Sequence, residues 1–224
     1  MHWLQVCVNA KTFSSIASLQ LAGIKRQPND FTFLLIAYLL GSIPFGYILV
    51  KSKTGKNIME VGSGNTGSTN VRRVAGKKIS ALTQILDMAK GLFPVAVILI
   101  LDKYQYVNAP QYFVFYAAIA SILGHNYSIF LKFKGGKGVN TTLGASVLLA
   151  SVAVFVSVAI YFLVKLKVKY VSASSLALSV SLPLIQILYG GISPTFYYLV
   201  LCMLLIIFQH RSNIGRLVRR EEKL

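Results

Sequence analysis

The stretch Phe31-Thr32-Phe33-Leu34-Leu35-Ile36-Ala37-Tyr38-Leu39-Leu40-Gly41-Ser42-Ile43-Pro44-Phe45-Gly46-Tyr47-Ile48-Leu49-Val50, followed at once by Lys51, Lys53 and Lys56, decides the fold. It carries no charge, and about 20 apolar residues in a helix cross the hydrocarbon core of a bilayer. No water reaches the backbone there, so a span must be helical to satisfy its own N–H and C=O groups. The three lysines mark the inner end, because basic residues accumulate on the cytoplasmic side. The span therefore runs from outside to inside. Its Gly41-Ser42-Ile43-Pro44-Phe45-Gly46 interruption removes a donor at proline and side chains at the glycines, which bends the helix and admits close neighbours. Packing is preferred here over direct substrate contact.

The rest of the chain has the same character. Of 224 residues, 55% are hydrophobic and 13% charged, and the mean hydropathy is +0.64, far from a soluble domain. The chain reads as an all-α integral membrane protein, a polytopic helix bundle. Its net charge of +17 comes from 23 Lys and Arg against six acids: Asp30, Glu60, Asp87, Asp102, Glu221 and Glu222. Cations dispersed between spans suit membrane lipid headgroups or anionic substrates. Nucleic acid would call for one basic soluble face, so it is not expected as a partner. Cys7 and Cys202 are far apart, and His2, His125 and His210 lack ligand spacing, so neither a metal site, a cofactor nor a disulfide framework is expected.

Two units follow along the chain: an N-terminal extension, 1–29, and a membrane-embedded domain, 30–224. The extension's apolar stretch around residues 16–24 is too short to span and lacks the order of a secretory signal. An interfacial helix, a disordered extension and an upstream-shifted start are all open. After the first span, residues 80–101 make a second, outward one. Asp87 and Lys90 lie three apart on its face, an arrangement that predicts an ion pair organising the loop before it predicts catalysis. An outer loop at 102–110 leads to a third span, 111–131. Crossing once at 143–164 would put Lys165, Lys167 and Lys169 outside, against the charge rule; a re-entrant pair of short helices keeps them inside and is preferred. Residues 171–189 then go out, 190–194 turn, 195–208 return, and the basic tail 210–223 lies inside. No tandem period and no inverted repeat is visible.

Every strong polar motif thus falls on one membrane face. Two of them are glycine-spaced loops, Gly62-Ser63-Gly64-Asn65-Thr66-Gly67-Ser68-Thr69-Asn70-Val71-Arg72-Arg73 and Lys132-Phe133-Lys134-Gly135-Gly136-Lys137-Gly138-Val139-Asn140-Thr141-Thr142. Glycine permits φ > 0 and close backbone approach, so successive N–H groups converge on an anion while Arg and Lys supply charge. Neither loop has the GxxxxGK[ST] spacing of an NTPase, and no βαβ context supports a dinucleotide fold. Ser63 is not in a GxSxG elbow, and no acid is placed to orient a histidine into a triad. The residues favour charge stabilisation instead: Arg73 and Lys137 for phosphate oxygens, with Ser63, Asn65, Thr69 and Asn70 as neutral hydrogen-bonding groups and the N–H groups of Gly135, Gly136 and Gly138 as a cradle. His125 and Asn126 are balanced between packing the second loop and touching substrate. An anion transporter and a lipid-binding scaffold are the competing readings, but a transporter places its site near the midplane.

Three ordered motifs carry a family resemblance: residues 62–71 with Arg73; Gly124-His125-Asn126 followed by Phe133-Lys134-Gly135-Gly136-Lys137-Gly138-Val139; and His210-Arg211-Ser212-Asn213-Ile214. Over residues 31–223 the chain resembles the bacterial acyl-phosphate:glycerol-3-phosphate acyltransferases. The resemblance implies transfer of a fatty acyl group from acyl-phosphate to the 1-hydroxyl of glycerol 3-phosphate, giving lysophosphatidic acid and phosphate. It also implies a bundle of seven helices, some short, in the bacterial inner membrane with the active site facing the cytoplasm. Ser63, Arg73, Lys137, His210 and Asn213 fall at its substrate-binding or catalytic positions, and the donor phosphate itself is implied as acceptor of the hydroxyl proton. Thr66 and Ser68 depart from it, where the family often has Pro and Ala. Glu221 and Lys223 match its terminal segment only briefly. The His-x4-Asp pattern of the other large glycerolipid acyltransferase family is absent, since none of the three histidines has Asp five positions later.

Overall fold

The computed structural model describes residues 30–106 and 112–222, so the 1–29 extension, residues 107–110 of the outer loop, Gln111, Lys223 and Leu224 lie outside it. Among the described residues it is all-helical. The first apolar stretch forms α1 (Asp30–Ser42) and α2 (Phe45–Thr54), broken at Ile43-Pro44 as the proline requires. The break frees the Ile43 carbonyl, which accepts a hydrogen bond from Lys90 Nζ at 2.9 Å. Glycine does the packing work expected of it: a Cβ on Gly41 would lie 2.1 Å from the Ser121 carbonyl oxygen, and one on Gly124 2.2 Å from that of Tyr38. Only hydrogen at those positions lets α1 press against α4 (Phe113–Asn126).

Helix α3 (Ser68–Lys103) begins twelve residues before the expected span, because the second half of the first polar loop is itself helical. Gly76, at φ 87° and ψ 177°, divides that first stretch from the span, and Ser80 Oγ donates to the Ser68 carbonyl across the break at 2.8 Å. Within the span Asp87 and Lys90 form the anticipated ion pair at 2.9 Å, both buried.

The re-entrant expectation holds for one limb and fails for the other. After a 3-10 turn (Ile129–Leu131), α5 (Val139–Ser146) is eight residues long and ends at a bend where Ala150 takes φ −151° and ψ 55°. Helix α6 (Ser151–Val168) then returns as a full segment, long and apolar enough to cross a membrane by itself. No glycine or proline interrupts α6, so nothing shortens it. Close approach marks α5 instead: a Cβ on Gly144 would sit 1.9 Å from the Met88 carbonyl oxygen, and one on Gly91 2.2 Å from that of Thr141, so α5 lies directly on α3. The hairpin carries Lys165, Lys167 and Lys169 back to the end of the bundle that holds the polar motifs, as the charge argument requires.

Helices α7 (Val171–Gly190) and α8 (Pro194–Gln209) complete the bundle, and α9 (Arg211–Val218) turns away from α8 by 61° at His210. Among the described residues five helical segments are long and apolar enough to span, six if the bent α8–α9 pair is one span. Ala117, Ile122, Leu178, Leu182 and Leu199 form part of the core between them. Large apolar side chains such as Phe155 and Leu166 face outward, as a bundle solvated by lipid allows.

Candidate active site

Asn70 builds the first loop. Buried on the first turns of α3, its Oδ1 accepts the Ser63 N–H at 3.0 Å, while its Nδ2 donates to the carbonyls of Asn65 at 2.9 Å and Val61 at 3.1 Å. One amide thereby satisfies three backbone groups that the turn leaves without helical partners. Gly62, at φ 64°, passes so close to Asn70 Oδ1 that a Cβ would lie 2.1 Å from it. Asn65 is also occupied: its Oδ1 accepts the Gly67 N–H at 2.8 Å, and its Nδ2 donates to the Gly135 carbonyl at 2.9 Å, joining the two loops. Thr69 and Arg73, one helical turn apart on α3, are thus aimed at a common space. Ser68 Oγ accepts from Asn140 Nδ2 at 3.2 Å, so this departure from the family pattern adds a tie between α3 and α5.

The second loop lies against the end of α4. Gly136 N–H donates to the His125 carbonyl at 3.0 Å; a Cβ there would fall 1.9 Å from His125 Nε2, and one on Gly135 2.1 Å from the His125 carbonyl oxygen. Gly138, at φ 82°, borders Asn126 and opens α5. His125 Nδ1 in turn lies 3.5 Å from Asp87 Oδ1, so the Lys90–Asp87 pair continues through His125 to the glycines. These glycines let the loop dock tightly enough to present Lys137. Gly135 and Gly136 do not face the cavity described next, and the N–H of Gly136 is already engaged.

A cavity of about 240 Å3 gathers most of the expected residues: Ser63, Asn65, Thr69, Asn70, Arg73, His125, Lys137, Gly138, His210 and Asn213 all line it. Gly135, Gly136 and Asn126 stand behind its wall. Lys137 Nζ donates to Asn213 Oδ1. The α8–α9 bend delivers Asn213, and His210 at the bend holds Nδ1 2.8 Å from the Ile206 carbonyl oxygen. Burial lowers Lys137 to about 8, opposed by the Glu222 carboxylate and reinforced by Arg216 and Arg73.

Glu222, Arg216 and Ser172 belong to this site and were missed from the sequence. The Glu222 carboxylate accepts hydrogen bonds from Asn213 Nδ2 at 2.6 Å, Arg216 Nε at 2.8 Å and Ser172 Oγ at 2.9 Å. Burial pushes its pKa up, but those donors outweigh it and hold it below the ordinary value. Arg216 was legible in principle, three residues after Asn213 on one helix; Ser172 gave no signal. Met88, Leu143, Val158, Phe162 and Leu178, beside Tyr161, give the cavity an apolar part. A cationic end for phosphate thus adjoins an apolar limb suited to a hydrocarbon tail.

Fold and site together define a membrane-embedded helical protein with a cationic, partly apolar cavity next to lipid. The chain matches the glycerol-3-phosphate acyltransferase family model over residues 31–220. It is 44% identical over 192 residues to the glycerol-3-phosphate acyltransferase of Clostridium acetobutylicum, covering 85% of this chain and 96% of that one. Identity to the enzyme of Endomicrobium trichonymphae is 41% over 190 residues, covering 85% and 92%. Among solved structures it is similar to PlsY (YgiH), described as an integral membrane glycerol 3-phosphate acyltransferase, in the glycerol 3-phosphate form. That match has 36% identity and a TM-score of 0.78, covering 87% of this chain and 94% of that one. The lysophosphatidic acid form of that protein gives 35% and 0.75 over the same shares. The chain belongs to the glycerol-3-phosphate acyltransferase family, the membrane enzymes that acylate glycerol 3-phosphate in phospholipid synthesis.

Proposed function

We propose that the acyl donor is an acyl-phosphate, that the acceptor is the 1-hydroxyl of glycerol 3-phosphate, and that the cavity faces the cytoplasm at the bacterial inner membrane. The observation that carries the donor assignment is the state of the cavity's two carboxylates. Asp87 is paired with Lys90 and His125, and Glu222 is held by Ser172, Asn213 and Arg216, so neither stands ready as a general base. Acyl-phosphate is already an activated anhydride, and its departing phosphate can itself take the hydroxyl proton. What the protein has to supply is alignment and charge stabilisation, each worth several kcal/mol.

Arg73, Ser63 and Thr69 hold the phosphate of glycerol 3-phosphate. Lys137 and the N–H of Gly138 hold the donor phosphate and the oxyanion that forms as the hydroxyl attacks, with His210 and Asn213 completing the shell. Asn65 and Asn70 act by shaping the first loop. His125, Asn126, Gly135 and Gly136 act by seating the second. Tyr161, Leu143 and Leu178 lie along the donor's chain.

Purified protein given labelled glycerol 3-phosphate with acyl-phosphate, acyl-CoA or acyl-carrier protein in parallel tests this. Lysophosphatidic acid should form from acyl-phosphate alone and vanish in folded Arg73→Ala and Lys137→Ala. Turnover with acyl-CoA and none with acyl-phosphate would refute the donor assignment.

A further inference from the structure

Helix α9 divides its surface in three. Asn213 faces the cavity, 5% exposed; Ile214, Leu217 and Val218 form a stripe about a quarter turn round, with Val218 78% exposed. Arg211 stands exposed on the remaining side, and Arg219 and Arg220 follow the helix end, also exposed, with Arg219 Nε donating to Glu221 Oε2 at 2.8 Å. The 61° turn at His210 takes this helix off the line of α8, and Arg211 fixes the turn by stacking on Phe208 at 4.7 Å and donating to its carbonyl at 3.1 Å. At the end of a membrane bundle, a short helix with an apolar stripe between arginines has the build of one lying in the interface.

A second segment has the same chemistry. Ile129, Phe130 and Phe133 are 47%, 59% and 62% exposed, next to exposed Lys132 and Lys134. This is the loop that delivers Lys137, and Lys137 donates to Asn213 of α9. Both exposed segments therefore end on one hydrogen bond inside the cavity.

We propose that α9 and the 129–134 loop are a paired footing for an anionic lipid surface, and that seating both sets the Lys137–Asn213 contact, so anionic lipid raises the turnover of acyl transfer. Apolar side chains alone would accept any bilayer. The net positive charge at both footings is what selects a negative one, each Arg or Lys not offset by an acid adding about fivefold to partition near such a surface. The sign of the effect is diagnostic. Plain electrostatics would repel anionic glycerol 3-phosphate from the same surface and raise its KM, whereas seating raises kcat.

The test uses the full chain in nanodiscs of phosphatidylcholine, with or without about one-third phosphatidylglycerol, a composition that sets the surface potential. Its activity readout rests on the acyl-transfer reading above. Wild type should show a kcat about fivefold or more higher with the anionic lipid. Arg219→Gln combined with Arg220→Gln should lose that gain while matching wild type in phosphatidylcholine. In parallel, Trp3→Phe with Val218→Trp reports seating directly: brominated acyl chains should quench the new tryptophan more strongly when phosphatidylglycerol is present. Equal quenching in both lipids, or the same kcat gain in the double arginine variant, overturns the footing. Absence of acyl transfer in either lipid would count against the function reading, and the quenching arm would still decide the footing.

Discussion

Lys137 carries the expected pH response of the site. Its ammonium gives up its proton near 8 in the resting cavity, against an ordinary 10.5, with burial as the main cause. Between those values the folded protein binds fewer protons than the unfolded chain, so this group's contribution favours folding at high pH and is lost as pH falls through about 8. A charged Lys137 is thus a cost to stability at neutral pH, kept for its chemistry. Two outcomes follow: apparent KM for glycerol 3-phosphate or acyl-phosphate should climb as pH rises above about 8, and Lys137→Arg should move that limb upward, both read from KM against pH. Lys137→Met should lower kcat/KM by about a hundredfold or more while its melting temperature stays level or rises. Gly136 gives the opposite pattern. It faces His125 and not the cavity, so Gly136→Ala should cost about 1–3 kcal/mol of stability through overpacking, seen as a lower melting temperature, without a selective rise in donor KM. Its residue type and spacing suggest a phosphate cradle equally well; only the contact with His125 separates the two roles.

Among the elements, the α3–α5 crossing matters most for function. Helix α3 carries Thr69 and Arg73, while α5 is capped by Gly138, next to Lys137, so the gap between these helices sets the distance between the two proposed phosphate anchors. Gly144→Leu would push a side chain into the Met88 backbone and should lower both melting temperature and kcat. Leu166→Ala, on the 79% exposed outer face of α6, should change neither, and comparing circular-dichroism melts with turnover checks the pair. The spans themselves were readable because lipid demands a long apolar helix, and the Pro44 break because proline forbids continuation. The early start of α3 was not. Residues 68–75 mix polar side chains with Val71, Val74 and Ala75, too few apolar residues to read as a span; in the structure Val71 packs with Val50 and Ile58, and Asn70 and Ser80 satisfy the surrounding backbone.

Across the whole molecule, Glu222 connects α7 through Ser172, α9 through Asn213 and Arg216, and the second loop through the field it exerts on Lys137. Glu222→Gln keeps the shape and removes the charge that supports the ammonium. Lys137 should then deprotonate more readily, and the alkaline limb of the KM profile should shift to lower pH; an unmoved limb would show that the coupling is absent. The sequence by itself determined the membrane class, the order of spans, the return of Lys165 to Lys169 to the polar end, and ten of the thirteen residues expected at the site that do line the cavity. It could do so because hydrocarbon solvation and phosphate recognition each impose local rules on residue type and spacing. Tertiary structure alone decided that Gly135, Gly136 and Asn126 stand behind the wall, that Asn65 and Asn70 hold the loop together, and that Ser172 and Glu222 complete the polar end. Those roles depend on which side chains meet across distant helices, and a single serine or glycine carries no local mark of the neighbour it will touch.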